Sequence, residues 1–298
     1  MTQPLIAVFT KNFTNPAYAA ARSGADRTAR RMGAQTRHYV PQKPDDIDEQ
    51  IALIRAALAD KVGAFVFTPV HATAVNGAVH EINAARVPIF NIINRMTAGD
   101  AVTFVGSDDY RLAFLIAEHL FQHLGGRGGV VVMQGTSGSV TSQDRLRGFT
   151  GAIEKNKNVK PLAIRAGDYQ RTTARRVMAE LLQELPRIDG ILAANDDMAL
   201  GIIDVLAERK RSIPLIGINA VPEAVAAVKQ GTLLATVDFD AMKMACIATE
   251  AALRHLRGEQ VPREIMLPVQ IVERSNCDAW DRPVEARACP RWENIVHP

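Results

Sequence analysis

The 298-residue chain has no apolar run near the ~20 residues that a membrane-spanning helix needs, so no such helix is expected. It has no low-complexity tract and no block of like charge. Lys plus Arg number 35 against 32 for Asp plus Glu, a formal charge of +3 that is small and scattered, so no nucleic-acid-binding footprint is expected. Apolar residues make up 47% and charged residues 22%, which excludes a disordered or fibrous chain. Aromatics are scarce at 5%, so an aromatic at a loop end carries more information than usual.

Chemical signatures are also missing. The three cysteines, Cys246, Cys277 and Cys289, lack the spacing of a metal site. Cys246 lies in an Ala-rich helical stretch and reads as a small core residue, while Cys277 and Cys289 could pair in an oxidising compartment. His119 and His123 stand at i, i+4 without the glutamate of a zinc-protease motif, so no metal is expected. Gly125–Gly129 precedes a strand instead of following one, and Gly135–Ser139 lacks the Lys-Ser/Thr of a phosphate loop. With no nucleophile elbow either, neither catalysis nor a cofactor is expected.

What the chain does have is alternation. Short β-rich runs at 5–10, 35–40, 64–68, 88–93, 102–106, 129–134, 159–165, 189–193, 213–218, 233–238 and 265–272 are separated by helical patterns. Ile47, Ile51, Ile54 and Leu58 share one helix face, as do Ala174, Val177, Met178, Leu181, Leu182 and Leu185. Runs such as Ala64–Phe67 and Gly129–Met133 are continuously apolar, as strands buried on both faces are. The expected fold class is α/β with parallel sheets.

The strand–loop–helix pattern at 5–32 restarts in kind at 129–155, which predicts two similar lobes. One lobe comprises 1–106 plus 239–268, and the other 107–238 plus 269–298 with an extended tail. A three-segment hinge near 105–108, 237–240 and 268–271 joins them around a ligand cleft. In open α/β sheets ligands bind beyond the carboxyl ends of strands. There the chain places amides, hydroxyls, carboxylates, two arginines and two tyrosines. Planar amides and guanidinium groups suit vicinal hydroxyls, and an aromatic face suits the C–H face of a sugar ring. The expected ligand is small and polyhydroxylated. The Asp196–Asp197 pair is expected to cap the helix at 198–209, leaving Asn195 for the cleft.

F-T-N-P-A-Y at 13–18, T-P at 68–69, N-R at 94–95, S-D-D at 107–109, Q-D-R-L-R-G-F at 143–149, A-N-D-D-M-A-L-G at 194–201 and I-G-I-N at 216–219 follow in one order. Together they resemble the ribose-type sugar-binding proteins of bacterial ABC importers, the type I periplasmic binding fold. The resemblance covers about 5 to 272. It implies that Asn15 and Asn195 bond hydroxyls, that Arg95 and Arg145 reach the ligand, and that Tyr18 and Tyr169 stack on it from opposite lobes. Tyr18 also falls on an apolar helical series with Ala21, Ala25 and Met32, so core packing is its competing reading.

The sequence departs from that family at several of these positions. Asn94 and Asn219 stand where the family has aspartates, Ala17 replaces an aromatic, Phe239 replaces a glutamine between Asp238 and Asp240, and Lys11 replaces a small hydroxyl residue. The candidate ligand-binding set is therefore Lys11, Asn15, Tyr18, Asn94, Arg95, Arg145, Tyr169, Asn195, Asn219 and Asp238. The departures imply a ligand other than ribose, namely another pentose, a branched or furanose sugar, or a sugar alcohol.

The implied partner is a membrane permease and the implied state a monomer, with a chemotaxis or sensor receptor as the alternative partner. A sugar-responsive transcription regulator shares the fold, but only about four residues precede the first strand and no basic helix follows. The resemblance places the protein in the periplasm with a signal peptide already removed; if Met1 is the native start, the cytoplasm is the alternative.

Overall fold

The apolar runs form strands because both of their faces are covered. Every residue of Ala64–Phe67, Ile89–Ile92 and Gly190–Ala193 is buried, as helices packed on each side of a parallel sheet require. The computed structural model describes residues 3–283 and 286–296. In chain order the elements run β1 (Leu5–Phe9), α1 (Pro16–Arg31), β2 (Gln35–Tyr39), α2 (Ile47–Ala59), β3 (Ala64–Phe67), α3 (Asn76–Ala84), β4 (Ile89–Ile92), β5 (Thr103–Gly106), α4 (Asp109–His123), β6 (Gly128–Gln134) and α5 (Val140–Lys155). They continue with β7 (Val159–Ala166), α6 (Arg171–Glu184), β8 (Gly190–Ala193), α7 (Asp196–Glu208), β9 (Leu215–Ile216), α8 (Pro222–Gln230), β10 (Ala235–Asp238), α9 (Ala241–Leu256), β11 (Glu264–Met266), β12 (Gln270–Glu273) and α10 (Trp292–Val296).

These elements form two units. The first gathers the described residues up to Ser107, Asp240–Pro268 and those from Ala286 onward; the second gathers Asp108–Phe239 and Val269–Pro283. The first unit holds a six-stranded sheet in the order β11-β5-β4-β3-β1-β2, parallel throughout. The second holds β12-β10-β9-β8-β6-β7, in which β12 alone runs antiparallel, against β10. In the first unit Phe9, Phe65 and Phe67 pack around one another, with Phe9 stacked on Tyr39 at 5.0 Å between ring centres. Helix α1 lies close against α9, since a Cβ on Gly24 would sit 2.5 Å from the Met242 carbonyl oxygen. Only glycine allows that approach.

Three expectations change here. The single run 265–272 is two strands, with Ile265 paired to Val105 in one sheet and Ile271 paired to Val237 in the other. Pro268, lacking an N–H, ends the ladder between them. The tail, expected in the second lobe, belongs from Ala286 to the first unit, so the chain passes between units a fourth time. The cysteines explain that path. Cys289 is bonded to Cys246 of α9, with Cα atoms 5.9 Å apart, and it is Cys277 that stays a buried free thiol. Cys246 is thus half of a disulfide instead of a simple core residue. Arg27 donates to the Arg287 carbonyl at 2.7 Å, and the Arg254 guanidinium lies 4.9 Å from the buried Trp292 ring centre.

Candidate functional site

The polar residues that follow the strands first serve as helix caps. Asn15, Asp46, Asp108, Asn195 and Asp240 each accept a backbone N–H in the first turn of the helix they open. This corrects the expected role of Asp196 and Asp197. Asn195 is the cap of α7, accepting from the Met198 N–H at 2.9 Å, and its Nδ2 donates toward the Tyr169 carbonyl at 3.4 Å. Asp197 accepts from the Arg171 N–H at 3.0 Å. Asp196 is fully buried, taking bonds from the Thr236 hydroxyl at 2.7 Å and the Val221 N–H at 3.0 Å. Burial outweighs those bonds and raises its carboxyl to about 6.

In the first unit, Lys11, Asn94 and Arg95 follow β1 and β4 at the carboxyl edge of the sheet, and Asn15 opens α1. Lys11 is buried with its Nζ 3.8 Å from an Asp45 carboxylate oxygen, and the Asp45 N–H donates back to the Lys11 carbonyl at 3.1 Å. Asn12 ties the same turn by donating to Asp45 at 3.0 Å and accepting from the Asn15 N–H at 2.9 Å. Asn15 uses its Oδ1 on the Ala17 N–H, which leaves Nδ2 as the donor it can offer.

Asn91 shapes the loop carrying Asn94. Its Nδ2 donates to the carbonyls of Phe67 and Asn94, and its Oδ1 accepts from the Met96 N–H. Ile93 is held there at φ 64°, a strained left-handed conformation for a β-branched residue. Gln50 holds the neighbouring Thr68–Val70 loop in the same way, donating to the Thr68 carbonyl and accepting from the Val70 N–H. Arg95 is half exposed. Its guanidinium lies 3.9 Å from the Phe104 ring centre and pairs with Glu264 of β11. Tyr18, one turn into α1, is 8% exposed.

In the second unit, Arg145 gathers the other candidates. It is 3% exposed on α5, its Nε donates to Asp109 at 2.7 Å and its Nη1 to the Ala194 carbonyl at 2.6 Å. The guanidinium lies 4.6 Å from the Phe239 ring centre and 5.8 Å from that of Tyr169. Burial pushes the Asp109 carboxyl up while the Arg145 charge opposes it. Tyr169 follows Asp168 in the left-handed region, at φ 58° and 53° respectively. Its ring covers Gly135, where a Cβ would lie 2.2 Å from the ring carbon Cζ. Its hydroxyl meets that of Thr141 at 3.3 Å, and burial pushes the phenol up.

Asn219 and Asp238 come from the ends of adjoining strands β9 and β10, both nearly buried. Asn219 has φ 136° and its N–H donates to the Val237 carbonyl, while Thr236 accepts from the Ala220 N–H and donates to Asp196. The buried Asp196 therefore braces the loop that presents Asn219. His119 is not part of any such grouping; its Nε2 lies 3.6 Å from Glu273.

Sequence reading brought out the residues that point outward from strand ends but passed over those that hold them. Asp45, Gln50 and Asn91 are such residues, while Asp109 and Phe239, already named in the S-D-D run and at the family's glutamine position, flank Arg145. Asp109 and Phe239 had a signal, each being adjacent to a join between lobes. Gln50 had none, because a glutamine inside an amphipathic helix reads as solvated.

Two α/β units with polar groups on the carboxyl edge of each sheet describe a two-lobed solute-binding protein. Residues 6–260 match the periplasmic binding protein domain, and the chain belongs to that family. It is 27% identical over 266 residues to the ribose import binding protein of Bacillus subtilis (strain 168), covering 89% of this chain and 86% of that one. It is 27% identical over 281 residues to the D-apiose import binding protein of Paraburkholderia graminis, covering 93% and 89%. An ABC transporter periplasmic solute-binding protein from Actinobacillus succinogenes 130z, solved with bound D-allose, superposes with a TM-score of 0.87 at 26% identity, over 93% of this chain and all of that one. These relatives are solute-binding proteins, not enzymes, and they come from the family that the motifs at 13–18 and 194–201 resemble.

Proposed function

We propose that the chain is the substrate-binding component of a carbohydrate ABC importer. It closes its two units over one small sugar or sugar alcohol and presents the closed form to a membrane permease. The observation that carries this reading is Arg145, buried and aligned by Asp109 and Ala194 between the Tyr169 and Phe239 rings. A guanidinium held in one plane is a donor array for vicinal hydroxyls. Asn15, Asn94, Asn195 and Asn219 add amide groups that both donate and accept. Tyr18 and Tyr169 supply aromatic faces, and Lys11, Arg95 and Asp238 complete the set. Contacts made only when both units meet the same ligand would drive closure.

Amides at 94 and 219 favour a ligand other than ribose, a pentose of different shape, a branched or furanose sugar, or a polyol. The periplasm suits the Cys246–Cys289 bond, because disulfides persist in oxidising compartments. The test is a thermal-melt screen against aldopentoses, hexoses, branched pentoses, pentitols and inositols. A ligand at 100 times its Kd adds about 2.7 kcal/mol and raises the midpoint by several degrees. Silence across the panel overturns the sugar reading. Strong preference for D-ribose overturns only the narrower ligand class.

A further inference from the structure

Each cation in the candidate site arrives with its own carboxylate from the same unit. Lys11 has Asp45 at 3.8 Å, Arg145 has Asp109 at 2.7 Å, and Arg95 is paired with Glu264. The first two pairs are withdrawn from solvent, with side-chain exposures of 1% and 13% for Lys11 and Asp45 and 3% and 6% for Arg145 and Asp109. Asp238 adds a further buried carboxyl group at the end of β10. Counted together, these groups carry no surplus of positive charge. A site built for a carboxylate or phosphate would instead direct uncompensated cations at it.

We propose that Asp45 and Asp109 are charge-selecting residues: by neutralising Lys11 and Arg145 they make the site accept an uncharged polyhydroxylated ligand and reject the sugar acid of the same skeleton. This rests on the sugar-binding reading above and adds which residues enforce the choice. Paired guanidinium and ammonium groups still donate N–H bonds, so hydroxyl recognition survives neutralisation. An anionic ligand brought to Arg145 or Lys11 would also meet the Asp109 or Asp45 carboxylate, and like charges so placed in a water-poor site repel strongly. Arg145 is also hemmed in by the Phe239 and Tyr169 rings, which limits its turning away from Asp109 toward a new anion.

The experiment titrates the full chain with D-ribose, D-allose and ribitol, and with D-ribonate and D-allonate, by calorimetry at fixed ionic strength. For the wild type, a neutral probe is expected to bind, with its acid weaker by about a hundredfold. Asp109→Asn preserves an acceptor for the Arg145 Nε while removing the charge, and should narrow that ratio by about tenfold, as should Asp45→Asn. Should Asp109→Asn fail to fold, Asp45→Asn decides alone, its carboxylate being more exposed. Wild-type binding of the acids as tightly as the neutral forms overturns the proposal and leaves the sugar reading standing. So does a folded variant that weakens both members of a pair equally. If no probe of either kind binds, the charge assignment falls, and the sugar reading is decided separately by the wider thermal-melt panel.

Discussion

Breaking the Cys246–Cys289 bond by Cys289→Ser tests how the first unit is held together. The bond closes a loop spanning 43 residues, from α9 through β11, across the second unit's β12 and back. In the chain-entropy description, loss of a crosslink of that span costs about 4 kcal/mol, by freeing the unfolded chain. Cys289 is the better position to change, being partly exposed, whereas Cys246 is 1% exposed and a serine there would bury a hydroxyl. For a unit of this size about 4 kcal/mol lowers the midpoint by roughly 8–16 °C. Urea melts of the oxidised wild type and of Cys289→Ser, followed by circular dichroism, measure the loss directly. Reductant should move the wild type to the variant's midpoint and leave the variant unmoved. A change below about 1 kcal/mol, with slopes unaltered, would refute the view that the tail is crosslinked to the first unit.

Other perturbations probe the second unit. Gly135→Ala places a Cβ 2.2 Å from the Tyr169 ring, so the ring must shift by more than an ångström; a stability loss of about 1–3 kcal/mol and weaker ligand binding should appear together in melts with and without sugar. Arg145→Ala strands Asp109 as a buried carboxylate and should cost about 3–5 kcal/mol in chemical denaturation, and Arg145→Lys should restore the charge without the aligned donors. Asp196 makes stability depend on pH. Its carboxyl stands at about 6 in the folded protein against an ordinary 3.8, so the native state holds the proton more tightly. That contribution is complete below pH 3.8 and is lost, by about 3 kcal/mol, as the pH rises through 6. Stability curves for the wild type and Asp196→Asn between pH 4 and 7 should therefore converge at low pH and diverge at neutral pH in the variant's favour.

Local signals made the fold legible. Continuous apolar runs such as Val130–Met133 read as strands covered on both faces, the periodicity of Ile47, Ile51, Ile54 and Leu58 reads as an amphipathic helix, and the structure has a strand and a helix there. The ends of strands were legible too, and Lys11, Asn94, Asn195 and Asn219 lie just beyond them. The run 265–272 misled because each half continues the same β pattern, although the two halves pair in different sheets. The Asp196–Asp197 pair misled because Asn, Asp and Ser share the same capping chemistry, and only backbone geometry selects which of three adjacent residues is the cap.

The sequence by itself determined two sheets, their helices and the rows of polar groups at the strand ends, because these depend on spacing over a few residues. Tertiary structure alone decided which partner each buried polar group takes. Asp109 meets Arg145 across 36 positions, Lys11 after β1 meets Asp45 after the neighbouring β2, and Cys246 rather than Cys277 meets Cys289. Such pairings follow from how helices and loops return over a sheet. Burial then makes each choice costly to leave unmade, through desolvated charge and closed-loop entropy that no local pattern records.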